Sequence, residues 1–246
     1  MPFLALAFLV AALLYASVGF GGGSTYSALL VLAGFDYRLL PILSLACNIL
    51  VVTGASWRFA RGGVTPWRGA ALLTVLAAPA ALLGGLTPIG RDDFLTVLGA
   101  SLLFTAIAMF IPQAAENETK RGRLAKFVPL AAVPLGYLAG LVGIGGGIFL
   151  APLLHLARWD SARAIAATAS FFILVNSLFG LAGQLAKNGS ERFGEALWGN
   201  LPLLVAVVVG GQIGSLLALR VLSLRMIRWL TALLVAAIGL CLLIGI

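Results

Sequence analysis

Two glycine-rich stretches contain the residues of this 246-residue chain best suited to binding a ligand. The first reads GFGGGSTYSALLVLAGFD (19–36) and the second GIGGGIFLAPLLHLARWD (143–160), at a constant offset of 124 residues. Glycine lets a ligand approach the backbone closely, and the first N–H groups of a helix that starts after the glycines have no helical acceptor. With the partial positive charge of the helix dipole, such a start favours an anion.

The predicted binding set combines the two glycine stretches with polar residues of the apolar segments that follow them. Ser24 and Thr25 are expected either to cap the first half-helix or to donate hydroxyl groups to the ligand, whereas Ile148 and Phe149 occupy those positions in the second copy. The predicted substrate-binding residues are Gly21, Gly22, Gly23, Ser24, Thr25, Asn48, Gly145, Gly146, Gly147, Ile148, Thr168, Ser170 and Asn176. For the polar residues outside the glycine stretches, hydrogen bonding between helices is an equal alternative to ligand contact.

Composition assigns the chain to membrane proteins. Hydrophobic residues make up 61% of it, charged residues 10%, and mean hydropathy is +1.10. A soluble domain carries roughly 25% charged residues. The basic residues, although in excess by a formal charge of +8, are scattered between apolar runs, so we reject nucleic acid as a partner. The N-terminal 20 residues have no basic region before their apolar run and are interpreted as the first membrane helix rather than a cleaved signal peptide.

Five apolar segments per half predict an all-α polytopic protein made of two inverted repeats. The third segment of the second half is expected at about 162–186, followed by a connection at 187–195. The first repeat is 1–112, a polar cytoplasmic linker is 113–125, and the second repeat is 126–246. Segments 24–34 and 148–157 cover about 16 Å each at 1.5 Å per residue, half of the bilayer core. Each is therefore expected to form a re-entrant hairpin with the segment before it, with the glycines as the tip, and the two tips are expected to meet near the midplane.

The distribution of basic residues predicts the orientation. With the linker inside, twelve of the 16 basic residues lie on the cytoplasmic side. The four on the other side are Arg38, Arg91, Lys187 and Arg192. By the positive-inside rule both termini face outside, as expected for a multi-pass protein of the cell membrane.

The remaining polar residues give little sign of catalysis. Cys47 and Cys241 lie far apart in apolar runs, so neither a disulfide nor a metal site is expected, and no cofactor is predicted. His155 is the only histidine. Asp36 and Asp160 precede the third segments and are expected to cap them. An intramembrane enzyme would need a nucleophile with a base, or a metal cluster, so this alternative is the weaker one.

At the paired G-x-G-G-G hairpins, each followed by an aspartate and then, in the second copy, by a helix reading ATASFFILVNS, the chain resembles the TauE/SafE family of sulfite exporters. The resemblance covers essentially the whole chain. It implies transport of small sulfur-containing anions such as sulfite, sulfoacetate or other organosulfonates. After its first glycine run the sequence reads STYSAL, whereas after the second it reads IFLAPL. An anion channel or an uptake permease remains an alternative, and the chain is compatible with a homo-oligomer.

Overall fold

The computed structural model describes residues 2–109, 122–217 and 224–244, and its regular elements in these ranges are all helical. The helices of the first half are α1 (Pro2–Val18), α2 (Gly23–Leu32), α3 (Leu40–Arg61), α4 (Trp67–Leu86) and α5 (Arg91–Met109). Those of the second half are α6 (Val128–Val142), α7 (Gly147–Leu156), α8 (Ala162–Trp198), α9 (Leu201–Leu217) and α10 (Leu224–Ile244), with a short 3₁₀ helix, Arg123–Phe127, before α6. Residues 113–121 of the predicted linker, with Lys120 and Arg121, lie outside the described residues.

The all-α class with five helices per half is confirmed. Four described stretches are long and apolar enough to cross a membrane: α3, α4, Leu124–Val142 and α8. The half-length segments are also present, since α2 and α7 have ten residues each. Neither can span a bilayer core of about 30 Å at 1.5 Å per residue.

The glycine runs separate each half-length helix from the helix before it. Gly19 and Gly22 have φ values of 84°, and Gly143, Gly145 and Gly146 have values of 77–81°. L-residues with a side chain rarely adopt this left-handed region, so glycine is needed at these bends.

The hairpins pack on the opposite half of the chain. Helix α1 lies along α9, and α6 lies along α4. Glycines make these contacts close: a Cβ atom at Gly214 would overlap the carbonyl group of Leu13, and one at Gly140 would overlap that of Ala81. Small residues allow such backbone approach, which favours helix association in membranes.

Equivalent helices of the two halves cross in opposite directions. Along α3 and α8, Leu45 lies against Gly180 while Ser56 bonds to Ser170. The glycines at 99 and 239 show the same antiparallel relation between α5 and α10. Antiparallel copies are what an inverted repeat requires. The orientation of the two halves in a bilayer, and the depth of the tips, remain predictions.

Two local expectations are wrong. The third segment of the second half does not end at 186: α8 continues to Trp198 past a kink at Gly189, where φ is 82° and ψ is 164°. Because a helical stretch resumes after this single glycine, the predicted connection 187–195 is largely helical.

The aspartates are not helix caps. Asp36 Oδ1 accepts from the backbone N–H of Arg38 at 3.0 Å, within the connection before α3. Asp160 Oδ1 accepts from the N–H of Ser161 at 2.7 Å, and it is Ser161 that caps α8 by accepting from Ala164 N–H at 3.3 Å. Both carboxylates therefore stabilise turns, one or more residues before the helices start.

Candidate substrate site between the glycine tips

The first tip ends in an uncapped helix start. Helix α2 begins at Gly23, preceded by the left-handed Gly22, and no side chain accepts from its first N–H groups. Capping by Ser24 or Thr25 is therefore excluded. Thr25 Oγ1 instead forms a 2.9 Å hydrogen bond with Tyr15 Oη, whereas Ser24 Oγ is buried and has no partner in the described chain.

The second tip has the same backbone and apolar side chains. Helix α7 begins at Gly147 after the left-handed Gly146, again without a side-chain cap. The N–H groups of Phe149 and Leu150 both donate to the Gly146 carbonyl at 3.1 Å. Ile148 and Phe149 are buried, so this helix start offers backbone donors without hydroxyl groups.

The two tips meet at Asn48, near the middle of α3. Asn48 is completely buried, and its Nδ2 donates to the carbonyl oxygen of Ile144 at 3.1 Å. The missing side chains of Gly21, Gly23 and Gly145 would all point at the Asn48 amide. A Cβ at Gly23 would also lie 2.7 Å from Ile144 O. Glycine is thus required on both sides of Asn48, because any side chain there would force the tips apart.

The hairpins overlap along α3. Gly19 of the first tip faces the ring of Phe59 in the last turn of α3, whereas Gly143 of the second tip faces Pro41 in the first turn. Asn48 lies between these two contacts. Each tip therefore extends past the other, which places both helix starts around the middle of α3.

The predicted polar residues of α8 are hydrogen-bonded elsewhere. Thr168 Oγ1 donates to Ala164 O at 2.8 Å, and Asn176 Nδ2 donates to Phe172 O at 2.9 Å, both within α8. Ser170 shares a 3.0 Å hydrogen bond with Ser56 of α3. None of the three is among the nearest neighbours of the tip glycines, which face Asn48, Ile173 and Ser177 instead.

Two other residues of α8 face the second tip. Ile173 and Ser177, both buried, lie 3.0 Å from the position that a Gly145 Cβ would take, and Ile173 also faces Gly147. Ser177 is outside the predicted set, which included the neighbouring Asn176 for its amide. The helical spacing of four residues between Ile173 and Ser177 puts the two on one face, and this is the signal that could have identified Ser177.

Several buried polar atoms at this site lack a hydrogen-bond partner in the described chain. They are Ser24 Oγ, Asn48 Oδ1 and Ser177 Oγ. Leaving such an atom unsatisfied costs about 1–3 kcal/mol. Together with the uncapped helix starts, the hydroxyl groups of Ser24 and Ser177 supply neutral donors, which suit an anion that is bound and then released.

Comparison with known proteins assigns the family. Residues 4–242 match the family described as sulfite exporter TauE/SafE. The chain belongs to this family. A probable membrane transporter protein of Sinorhizobium fredii (strain NBRC 101917 / NGR234) is 33% identical over 254 residues, covering 98% of this chain and 97% of that protein.

A more distant relative has the same description. A probable membrane transporter protein of Methanocaldococcus jannaschii (strain ATCC 43067 / DSM 2661 / JAL-1 / JCM 10045 / NBRC 100440) is 26% identical over 202 residues, which is 76% of this chain and 73% of the relative. No solved structure matches the chain. The TauE/SafE protein described here is therefore a multi-pass membrane transporter.

Proposed function

We propose that this protein exports small sulfur-containing anions, such as sulfite, sulfoacetate or another organosulfonate, by alternating access. The observation that carries the proposal is the meeting of two uncapped helix starts at Asn48. A sulfite or sulfonate group has three oxygen acceptors and can take hydrogen bonds from several donors at once. The family description, sulfite exporter, supports the same chemical class.

The substrate contacts in this proposal come from both tips. The N–H groups at the starts of α2 and α7 that have no acceptor within their helix bind the anion oxygens, and the hydroxyl groups of Ser24 and Ser177 add donors. Asn48 joins the tips and offers its second amide N–H. Because these donors are dipoles rather than full charges, the site binds weakly enough to release its anion on either side.

The test is transport by purified protein in vesicles. Vesicles preloaded with unlabelled sulfoacetate or sulfite are diluted into trace labelled anion, with chloride-loaded vesicles as the control. A transporter accumulates label transiently by exchange, and we expect this for the sulfur anions only. Equal rates with chloride, or no flux of any sulfur anion, would refute the proposed substrate class.

The same experiment separates the transporter from a channel. For this comparison equal potassium on both sides with valinomycin holds the membrane potential at zero. The anion inside then no longer drives label through a channel, whereas a transporter still couples entry of label to exit of unlabelled anion. Direction is tested in cells: loss of the protein should raise the intracellular amount of the exported anion, whereas an uptake permease would lower it.

A further inference from the structure

Apart from the site at the glycine tips, a cavity with polar and charged lining residues lies at the end of the molecule where α3 begins. It measures about 320 Å³ and contains Arg38, Lys187 and Arg192, together with Tyr37, Gln184 and Asn188. We call it the cationic vestibule. Three of the four basic residues that the sequence analysis assigns to the outer face line this one cavity.

The three cations come from two parts of the chain. Arg38 belongs to the connection before α3, and Lys187 and Arg192 lie on either side of the kink at Gly189. No carboxylate is among the described residues that line the cavity. Asp36, outside the cavity lining, bonds the backbone N–H of Arg38, and after the Tyr37 hydroxyl its charge also helps to raise the pKa of the Arg38 guanidinium. It therefore offsets part of the positive charge of Arg38 but not that of Lys187 or Arg192.

Lys187 and Arg38 keep donors available to a ligand. Lys187 Nζ uses one N–H on the Thr87 carbonyl at 3.2 Å, which leaves two. Arg38 Nε donates to Tyr37 Oη at 3.2 Å, and this hydroxyl raises the pKa of the already charged guanidinium. The terminal nitrogens of a guanidinium can bind two oxygens of one oxyanion side by side.

Two residues that line the vestibule also contact the chain just before the second glycine tip. Pro41 lines the vestibule and lies directly against Gly143. Gln184 lines it as well and donates to the carbonyls of Gly140 and Leu141, at 3.0 and 3.5 Å, in the last turn of α6. The path from the cations to the tip therefore runs along one short stretch of backbone.

Cations grouped in a cavity without a carboxylate repel one another and attract anions. A cleft lined by one sign of charge focuses the field and raises association rates by roughly 10- to 1,000-fold at low salt. The tips have neutral donors and would gain little attraction over distance. In this arrangement the cations of the vestibule attract an anion over distance, and the glycine tips contact it at short range.

We propose that the cationic vestibule is a second anion site, which holds a sulfite or sulfonate group between Asn48 and the aqueous phase on that face. The choice of anion rests on the proposed function, whereas the existence of the site rests on the cavity alone. Binding is expected in the millimolar range and weakened by salt, because Arg38 and Arg192 are exposed.

The binding test uses methanesulfonate and purified full-length protein in an uncharged detergent. Asn48→Ile, which removes the central amide, should retain one salt-sensitive site by calorimetry, and Asn48→Ile with Arg38→Gln and Arg192→Gln should retain none. The charge-matched control is Asn48→Ile with Arg61→Gln and Arg68→Gln, at the end of α3 and the start of α4, far from the vestibule. It should bind like Asn48→Ile. If Asn48→Ile does not fold, the comparison is made in the parent protein, where Arg38→Gln with Arg192→Gln should remove the salt-sensitive one of the two sites and Arg61→Gln with Arg68→Gln should remove neither.

The transport test uses uncharged phosphatidylcholine vesicles. Arg38→Gln with Arg192→Gln should lower the exchange rate about 3- to 10-fold at subsaturating sulfite and low ionic strength, and by less than two-fold at saturation. Lys187 is retained because it also holds Thr87.

The outcomes separate the two proposals. Residual methanesulfonate binding that survives loss of both arginines, or exchange kinetics unchanged by their loss, overturns the vestibule while leaving sulfur-anion transport standing. Binding lost with the arginines in a protein that transports no sulfur anion supports the vestibule and refutes the proposed function.

Discussion

The two glycine tips have nearly the same backbone and different chemistry. In each, a left-handed glycine precedes an uncapped ten-residue helix. At the start of the first helix the residues are polar: Ser24 and Thr25 follow the glycines, and Gly23 faces Asn48. At the second, Ile148 and Phe149 follow the glycines, and Gly147 faces Ile173. The second tip takes its polar contacts at Gly145 from Asn48 and Ser177, which belong to other helices. The comparison teaches that the backbone device is duplicated, whereas polar residues within the half-helix itself are found only in the first copy.

The comparison of the two tips assumes that they enter the membrane from opposite faces. Cysteine labelling tests this assumption with an all-or-none result. In a background with Cys47 and Cys241 changed to alanine, single cysteines at Gly90 and Ser190 should react with a membrane-impermeant maleimide added outside intact cells. Cysteines at Arg61 and Arg68 should react only after lysis. Reaction of all four from one face would rule out the inverted arrangement.

Exchanging the central residue should abolish the difference between the tips. Asn48→Ile copies the second tip, removes the amide and leaves the Ile144 carbonyl without its donor, at a cost of about 1–3 kcal/mol. We expect sulfite exchange to fall more than tenfold. Adding Ile173→Asn to the Asn48→Ile protein should not restore sulfite exchange, because the new amide would face Gly147 rather than the hydroxyl groups of α2. The measurement is vesicle exchange beside a thermal melt, and a folded Asn48→Ile protein with normal exchange would contradict the site.

Equivalent glycines should differ in their tolerance of a methyl group. At Gly23 a Cβ would meet both Asn48 and the rigid Ile144 carbonyl, so Gly23→Ala should reduce exchange about tenfold. At Gly147 a Cβ meets mainly the far end of the Ile173 side chain, which can change rotamer, so Gly147→Ala should cost about two- to threefold. Equal losses, measured at matched protein levels, would mean that the tips contribute equally.

The Ser24 hydroxyl should matter for binding and little for folding. It is buried without a partner in the described chain, so Ser24→Ala leaves no protein group unsatisfied and the thermal midpoint should hold or rise slightly. Loss of one hydrogen bond of about 1 kcal/mol to the anion predicts an affinity about fivefold weaker. Ile148→Val at the equivalent position is the control and should bind like the parent. A large fall in the midpoint with unchanged affinity would assign Ser24 a structural role.

The smallest effects are expected at the paired aspartates. Each carboxylate accepts one backbone N–H in a turn, and the amide oxygen of asparagine can accept the same bond. Asp36→Asn and Asp160→Asn should change exchange by less than twofold. Complete loss in a folded protein would identify a proton or cation carrier.

The fold was predictable because hydrophobic length and glycine spacing determine it. Ten residues cannot span a bilayer, so the half-length helices followed from the sequence. The caps were not predictable: Ser24 and Thr25 have the residue types of N-caps, but Gly22 occupies that position and the two side chains fall inside the first turn.

For the candidate site, the glycines and Asn48 could be identified from the sequence, whereas the residues of α8 that face the tips could not. Ser44 donates to Gly23 O, and Ser170 and Thr168 have partners of their own, a distribution that depends on helix rotation and crossing. The vestibule depends on distant chain segments meeting in space, among them the connection before α3 and the kinked part of α8. The sequence indicated only that its cations share a face of the membrane.

The pairing of α1 with α9 also constrains biosynthesis. The surface of α1 around Leu9 and Leu13 is built to receive Gly210 and Gly214. At 5–20 residues per second, the roughly 190 residues between these helices take on the order of 10–40 s to synthesise. During that time the first helix, already made, has no α9 beside it. The ribosome therefore completes most of the chain before α1 can pack against α9. Until then, lipid or an insertion factor must cover this surface of α1.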